Sequence, residues 1–168
     1  MVIVSGGRTG VDRAAWDVAL ELGLPIAGWV PKGRLAEDGE IAARYGGLVE
    51  ADSADPSVRT RLNVRDSDAT LIISRGALTG GSALTMREAV RLGRPSLHTD
   101  LSTLSTPVAV ASVRAWIRNV RPERLNVAGP RASGDVEIGE LAALILREAL
   151  KSPWTLGPLD PWTTPETP

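Results

Sequence analysis

The chain has 168 residues, of which 43% are hydrophobic, so it is long enough to bury the core of one domain. Its formal net charge of -1 does not suit a protein that binds nucleic acid through a broadly basic surface. It has no cysteine and a single histidine, His98. This composition excludes disulfides, thiolate metal sites and a cysteine nucleophile, and it disfavours a histidine zinc site or a Ser-His triad.

The amino terminus and the apolar runs bear on where the protein works. No signal-peptide pattern precedes the first apolar segment, and no apolar run is long enough to cross a membrane. We therefore expect a cytoplasmic protein that binds neither membranes nor nucleic acid.

The first 30 residues have the pattern of a strand, a helix and a second strand. The apolar run Val2–Val4 predicts a strand that is buried on both faces. Apolar residues then recur at the spacing of one helix face from Val11 to Leu22, and Ile26–Val30 predicts the second strand. The helical crossover makes the two strands parallel.

The same alternation continues to residue 150, after a less regular stretch, 31–66, with a polar loop and a short helix around 58–66. The later predicted elements are strand 69–74, helix 83–92, strand 96–99, helix 106–120 (with Thr106 as N-cap), strand 125–128 and helix 136–150. Alternating strands and helices predict one α/β domain over residues 1–151, with a Rossmann-like, doubly wound and mainly parallel sheet.

Residues 152–168 form a tail rich in Pro and Thr. This composition favours disorder. Trp154, Leu156, Leu159 and Trp162 instead favour an extended segment packed on the domain or on a neighbouring subunit. Both interpretations stay open.

Glycines and cations concentrate in the segments that follow four of the predicted strands, namely 5–10, 31–34, 75–82 and 129–131. Asp100 follows the remaining predicted strand. Ligands of open parallel sheets bind beyond the carboxyl ends of the strands, so these segments should share one edge. Helix N-termini offer unpaired N–H groups, glycine lets the backbone approach an anion, and Arg and Lys bind oxyanions. The two glycine turns, 6–10 and 80–82, therefore predict a cleft for a phosphate-type or oxo-metal anion.

The candidate binding residues are the glycines and hydroxyls of the two turns together with nearby cations. They are Gly6, Gly7, Arg8, Thr9, Gly10, Arg13, Lys32, Arg34, Arg61, Thr79, Gly80, Gly81, Ser82 and Arg131. The first turn matches neither the dinucleotide motif nor the P-loop motif. Tight turns without a ligand and ordinary solvated charges are the alternative explanation.

Several other charged residues have structural interpretations. Thr9 and Asp12 have the spacing of a capping box, which favours a structural role for Asp12. Among Arg59, Arg61 and Arg65, only Arg61 is expected to face the site, whereas the other two are expected on a solvated helix face.

Four further polar residues, Asp66, Asp68, Glu88 and His98, lie near the ends of predicted elements or on the second glycine-turn helix. Asp66 and Asp68 are expected at a helix end and a turn, and His98 as a packed histidine. Glu88 is the one weak candidate for a catalytic residue, as a general acid or base beside the anion. No metal ligands are predicted.

Separated segments of the chain resemble, in the same order, the molybdenum-carrier family. They are 5–13, 28–29 with 31–34, 36–39, 63–68, 78–85 and 126–131, and the resemblance extends from about residue 3 to 150. It implies a Rossmann-like fold related to DprA-like and lysine decarboxylase-like nucleotide-binding proteins. It also implies a pocket for the molybdenum cofactor or a molybdate-like oxyanion, and a homo-oligomer, either a dimer or a tetramer. Arg8 stands where that family usually has glutamine, which adds a cation.

Three functions compete at this stage. The favoured one is a non-catalytic carrier of the molybdenum cofactor or a related anion, because it fits the anion loops and the lack of a catalytic set. The second is a phosphoribohydrolase acting on nucleoside monophosphates. Gly80–Glu88 is similar to the motif P-G-G-x-G-T-x-x-E of those enzymes but has one extra residue and no preceding proline, which puts Glu88 in doubt. The third is a module that binds a nucleotide or ADP-ribose-type signal.

Overall fold

The computed structural model describes residues 1–151, and within them the chain alternates between strands and helices. The predicted tail, 152–168, lies outside the described residues. In chain order the elements are β1 (Val2–Val4), α1 (Val11–Glu21), β2 (Ile26–Val30), a 3₁₀ turn (Lys32–Arg34), β3 (Leu35–Ala36), β4 (Gly39–Glu40), β5 (Leu48–Glu50), α2 (Pro56–Arg65), β6 (Ala69–Ser74), α3 (Gly80–Arg91), β7 (Ser96–Asp100), α4 (Thr106–Val120), β8 (Arg124–Ala128) and α5 (Ile138–Leu150).

Six strands form a parallel sheet in the order β5-β2-β1-β8-β6-β7, and β3 and β4 form a separate antiparallel pair. In the register of the sheet, Ile3 lies beside both Ile26 and Leu125, and Leu71 lies beside Val127. The predicted Rossmann-like α/β fold is therefore confirmed.

The helices cover the two faces of this sheet. The chain runs in opposite directions along the sheet from β1 to β2 and from β6 to β7, so right-handed crossovers place α1 and α3 on opposite faces. Helices α1, α4 and α5 pack together in one layer, and α2 packs against α3 in the other. No helix of residues 1–151 is long and apolar enough to cross a bilayer.

The core lies between the sheet and these two helix layers. Every residue of β6 is buried because both faces of this strand are covered. Trp16 and Tyr45 are the largest fully buried side chains, with their ring centroids 5.3 Å apart. The chain thus fills its core without phenylalanine, using aliphatic residues and these two aromatic rings.

Most predicted element bounds agree with the structure within about three residues. Helix α3 starts at Gly80 rather than Ala83, and the N-cap of α4 is Ser105 rather than Thr106. The short edge strand β5 was not predicted, since Leu48–Glu50 is largely exposed and carries no alternating or continuous apolar pattern.

Candidate functional site

A cleft lies beyond the carboxyl ends of β1, β8 and β6, which are neighbours in the sheet. Its volume is about 830 Å³, within the usual range for small-molecule sites. The walls come from three segments: the loop after β1, the segment from the end of β6 into α3, and the loop after β8. The lining residues are Arg8, Ser74, Arg75, 77–82, 129–131 and 133–136.

The amino terminus of α3 forms one wall of the cleft. Its N-cap, Thr79, makes no side-chain capping bond, and the first turn carries no acidic residue. Gly80 has a φ of 49°, a conformation that glycine adopts at little cost. The first N–H groups of the helix therefore keep their hydrogen-bonding capacity and the positive end of the helix dipole.

The Arg8 side chain joins the first glycine turn to the second. A Cβ atom on Gly81 would lie 3.0 Å from Nη2 of Arg8, so the guanidinium packs directly against the backbone of the α3 amino terminus. The Arg8 side chain is 16% exposed and lines the cleft. The two glycine turns thus meet in one place, as the sequence predicts.

Cations outnumber carboxylates along the cleft. Arg8, Arg75 and Arg131 line it, against one carboxylate, Asp135. Arg75 is already neutralised, because it pairs with Asp135 at 3.3 Å and with Glu137 at 2.7 Å. Arg131 is exposed and has no ion pair within residues 1–151. The cations of the lining that remain available to a guest are therefore Arg8 and Arg131.

A buried charge cluster lies behind Arg8. Oδ2 of Asp12 is 3.4 Å from Nη1 of Arg59 and 3.7 Å from Nε of Arg8. Both Arg59 and Asp12 have side chains only 3% exposed. Two guanidinium groups therefore share one carboxylate in the protein interior, which leaves one positive charge without a counter-charge.

Arg59 corrects an expectation from the sequence, because it is buried rather than solvated, whereas Arg61 is the exposed one. Burial, together with the neighbouring positive charges of Arg8 and Arg131, lowers the pKa of Arg59 to about 10, against the opposing effect of Asp12. The guanidinium remains charged at neutral pH. Nothing in the pattern of α2 marks Arg59, since its partner lies 47 positions away.

The first glycine turn has a different role from the second. A Cβ on Gly6 would overlap Nη1 of Arg59, so Gly6 makes room for the buried guanidinium. Gly10, with a φ of 78°, packs against the backbone of 130–132. The amide of Val11 donates to the Pro130 carbonyl at 3.3 Å, so this helix end is partly occupied.

Thr9 and Asp12 do not form the predicted capping box. The N-cap of α1 is Gly10, without a side-chain capping bond. The Thr9 hydroxyl instead accepts a hydrogen bond from the amide of Ala132 at 3.2 Å, and Asp12 accepts one from the amide of Arg8 at 3.4 Å. Both residues therefore connect the first turn to the rest of the site.

Four other predicted residues lie outside the cleft lining: three have structural contacts, and the fourth, Lys32, is exposed. Gly7 packs against Trp16, and its carbonyl accepts from Arg13, which also pairs with Asp38 at 3.3 Å. Arg34 donates to the carbonyls of residues 41 and 45, and Lys32 is exposed after β2. The loop after β2 therefore does not contribute to this cleft.

Glu88 and Arg61 also lie outside the cleft lining. Glu88 pairs with Arg91 at 2.7 Å and with Arg61 at 3.5 Å. The hydrogen bond from Arg91 lowers the pKa of Glu88, against a small opposing effect of burial. A carboxyl held ionised in this way is poorly prepared to act as a general acid near neutral pH.

The structural interpretations of three polar residues are confirmed. Asp66 is the C-cap of α2 and accepts from the Trp29 indole at 2.8 Å, and Asp68 accepts from the Arg124 amide at 2.8 Å. His98 is partly buried, with Nε2 2.8 Å from the Ser74 hydroxyl.

Six of the fourteen candidate binding residues line the cleft: Arg8, Thr79, Gly80, Gly81, Ser82 and Arg131. The fold and this edge-of-sheet cleft define the class, a Rossmann-like protein with a cationic cleft at the carboxyl ends of its strands.

The family follows from comparison with known proteins. The model of the circularly permutated YpsA SLOG family matches residues 3–150, so the chain belongs to that family. The chain is similar to the crystal structure of a "Putative molybdenum carrier protein" from Syntrophus aciditrophicus SB, with 47% identity and a TM-score of 0.86. The match covers 89% of this chain and 94% of that one. No curated protein matches the chain.

Proposed function

We propose that this protein is a non-catalytic binding or carrier protein whose cleft takes an anionic guest, the molybdenum cofactor or a related phosphate or oxo-metal anion. The observation that carries the proposal is the contact of the Arg8 guanidinium with Gly81 at the uncapped start of α3. A positive side chain and free helix N–H groups then act on the same guest.

The name of the similar protein from Syntrophus aciditrophicus supports a molybdenum-related guest. The cofactor is a pterin that bears a phosphate and an oxo-metal centre, and both anionic parts suit arginine and helix N–H donors. The cleft volume of about 830 Å³ accommodates a guest of that class.

The position of Glu88 favours binding over hydrolysis. Its carboxylate is engaged by two arginines and does not line the cleft. A phosphoribohydrolase would need a free carboxyl group within reach of the guest, whereas Asp135, the carboxylate that lines the cleft, is paired with Arg75 at 3.3 Å. We therefore assign the cleft a holding role and no bond-breaking step.

Copurification tests this proposal. The full chain is expressed in cells that make the molybdenum cofactor and purified without oxygen, and bound molybdenum and pterin are measured. We expect both in the wild type and at least tenfold less in Arg8→Ala. Arg87→Ala, which removes an exposed arginine of α3 outside the cleft, is the matched control and should retain both.

Two results would overturn the proposal. The first is a wild-type protein that carries neither molybdenum nor pterin and binds no molybdate in calorimetry. The second is release of free base from nucleoside monophosphates by the wild type but not by Glu88→Gln, which would establish the enzyme instead.

A further inference from the structure

Buried hydrogen-bond donors that no group of the described chain satisfies lie in and beside the first glycine turn. Nε and Nη2 of Arg59 and Nε of Arg8 are buried and have no hydrogen-bond partner within residues 1–151. Arg59 is 3% exposed, and its contact with Asp12 uses only Nη1. Buried charged donors are costly unless they are paired, so their persistence needs a reason.

The charges of this cluster do not balance. Arg8 and Arg131 lie close enough to Arg59 for their positive charges to lower its pKa. Asp12 is the carboxylate that opposes this lowering. A purely structural ion pair would leave no excess cation, since an unpaired buried charge is destabilising. The excess has the sign that an oxyanion site requires, and guanidinium groups are donors that suit oxyanions.

The cluster is continuous with the cleft through Arg8. The Nε atom of Arg8 lies beside Asp12, whereas its Nη2 atom packs against Gly81 in the cleft wall. Gly6 supplies the space in which the Arg59 guanidinium lies. One arginine thus faces both glycine turns.

We propose that Arg59 and Arg8, held by Asp12 beneath the first glycine turn, form a second anion subsite that takes a phosphate-type or oxo-metal oxyanion. The inference rests on the proposed function and deepens it, because a guest with two anionic groups would occupy this subsite together with the amino terminus of α3. Arg59 is then a ligand-binding residue that the sequence pattern of α2 conceals.

The direct test is a titration of the uniformly ¹⁵N-labelled full chain with inorganic phosphate, with sodium chloride at matched ionic strength as control. Side-chain Nε–H signals of Arg59 and Arg8 and backbone amide signals of residues 80–82 are followed in the same spectra. We expect saturable shifts of both groups with phosphate and none with chloride.

The outcomes separate this inference from the proposed function. Saturable shifts of the amides of 80–82 alone would overturn the second subsite and leave the α3 site standing. Absence of any saturable shift would contradict both.

A pair of variants provides an independent readout of stability and binding. In Arg59→Met, Arg8 remains to balance Asp12, so we expect a melting temperature equal to or above that of the ligand-free wild type. Its phosphate-induced rise in melting temperature should be lost, and Arg59→Lys should retain part of it. A lower melting temperature in Arg59→Met together with an undiminished phosphate response would assign Arg59 a structural role only.

Discussion

Arg8 is the residue on which the anion cleft depends, and its position depends in turn on the absence of a side chain at Gly81. A Cβ at Gly81 would lie 3.0 Å from Nη2 of Arg8, so it would press on the guanidinium, which lies near a helix start that no side chain caps. A substitution at Gly81 therefore acts on the guest through Arg8 without burying new groups.

We predict that Gly81→Val weakens molybdate binding at least tenfold in calorimetry. The new side chain displaces the Arg8 guanidinium from its place at the amino terminus of α3. Stability in urea should change by about 1 kcal/mol or less, because the displaced group is the end of a flexible side chain.

Gly46→Val is the matched control for that substitution. Gly46 is exposed, and a Cβ there would meet nothing within 4 Å. Equal molybdate affinity in Gly81→Val and Gly46→Val would show that the Arg8–Gly81 contact has no part in binding.

At the scale of elements, polar contacts tie α2 to its neighbours on both sides. Arg59 of α2 reaches Asp12 of α1, and Arg61 of α2 reaches Glu88 of α3. The contact of Arg59 with Asp12 is buried, whereas the contact of Arg61 with Glu88 involves an exposed arginine. Breaking the first should therefore cost much more folding free energy than breaking the second.

We predict that Asp12→Asn lowers the free energy of unfolding by about 3–5 kcal/mol, the usual cost of breaking a buried ion pair. The substitution leaves the guanidinium groups of Arg59 and Arg8 without their shared carboxylate. Urea unfolding measures the loss, and added phosphate should recover part of it. A loss below about 1 kcal/mol would contradict the described cluster.

We predict that Glu88→Gln leaves molybdate affinity unchanged and costs about 1 kcal/mol or less in stability. Because the pKa of Glu88 is lowered in the folded state, the ionised carboxylate contributes to the free energy of unfolding at neutral pH. This contribution is lost as the pH falls through that lowered pKa, and Glu88→Gln should not show this loss. Unfolding measured from neutral to acidic pH checks the difference. A large loss of molybdate affinity in Glu88→Gln would show that Glu88 takes part in binding at the cleft.

Local pattern predicts the elements well and the polar contacts between them poorly. The continuous apolar run of β6 predicts a strand covered on both faces, and the structure agrees from Ala69 to Ser74. Arg59 has no such signal, because an arginine on a helix looks solvated until Asp12 is brought beneath it by folding. Long-range charge pairing cannot be found from the spacing within one helix.

At the scale of the whole molecule, a chain of net charge -1 concentrates cations at one edge of its sheet. The strand order explains which of the loops at that edge line the cleft: β1, β8 and β6 are adjacent, whereas β2 lies beyond β1. Arg8 of the first glycine turn and residues 80–82 of the second therefore meet at the cleft, whereas Lys32 and Arg34, after β2, lie apart from it.

The central claim is that the cleft between Arg8 and the start of α3 prefers negative guests. The most direct measurement is an anomalous difference map from crystals of the full chain grown with molybdate, recorded at the molybdenum absorption edge. We expect a molybdenum peak within hydrogen-bonding distance of the Arg8 guanidinium and the amides of residues 80–82. A map with no peak there at saturating molybdate, or with peaks only elsewhere on the surface, would contradict it.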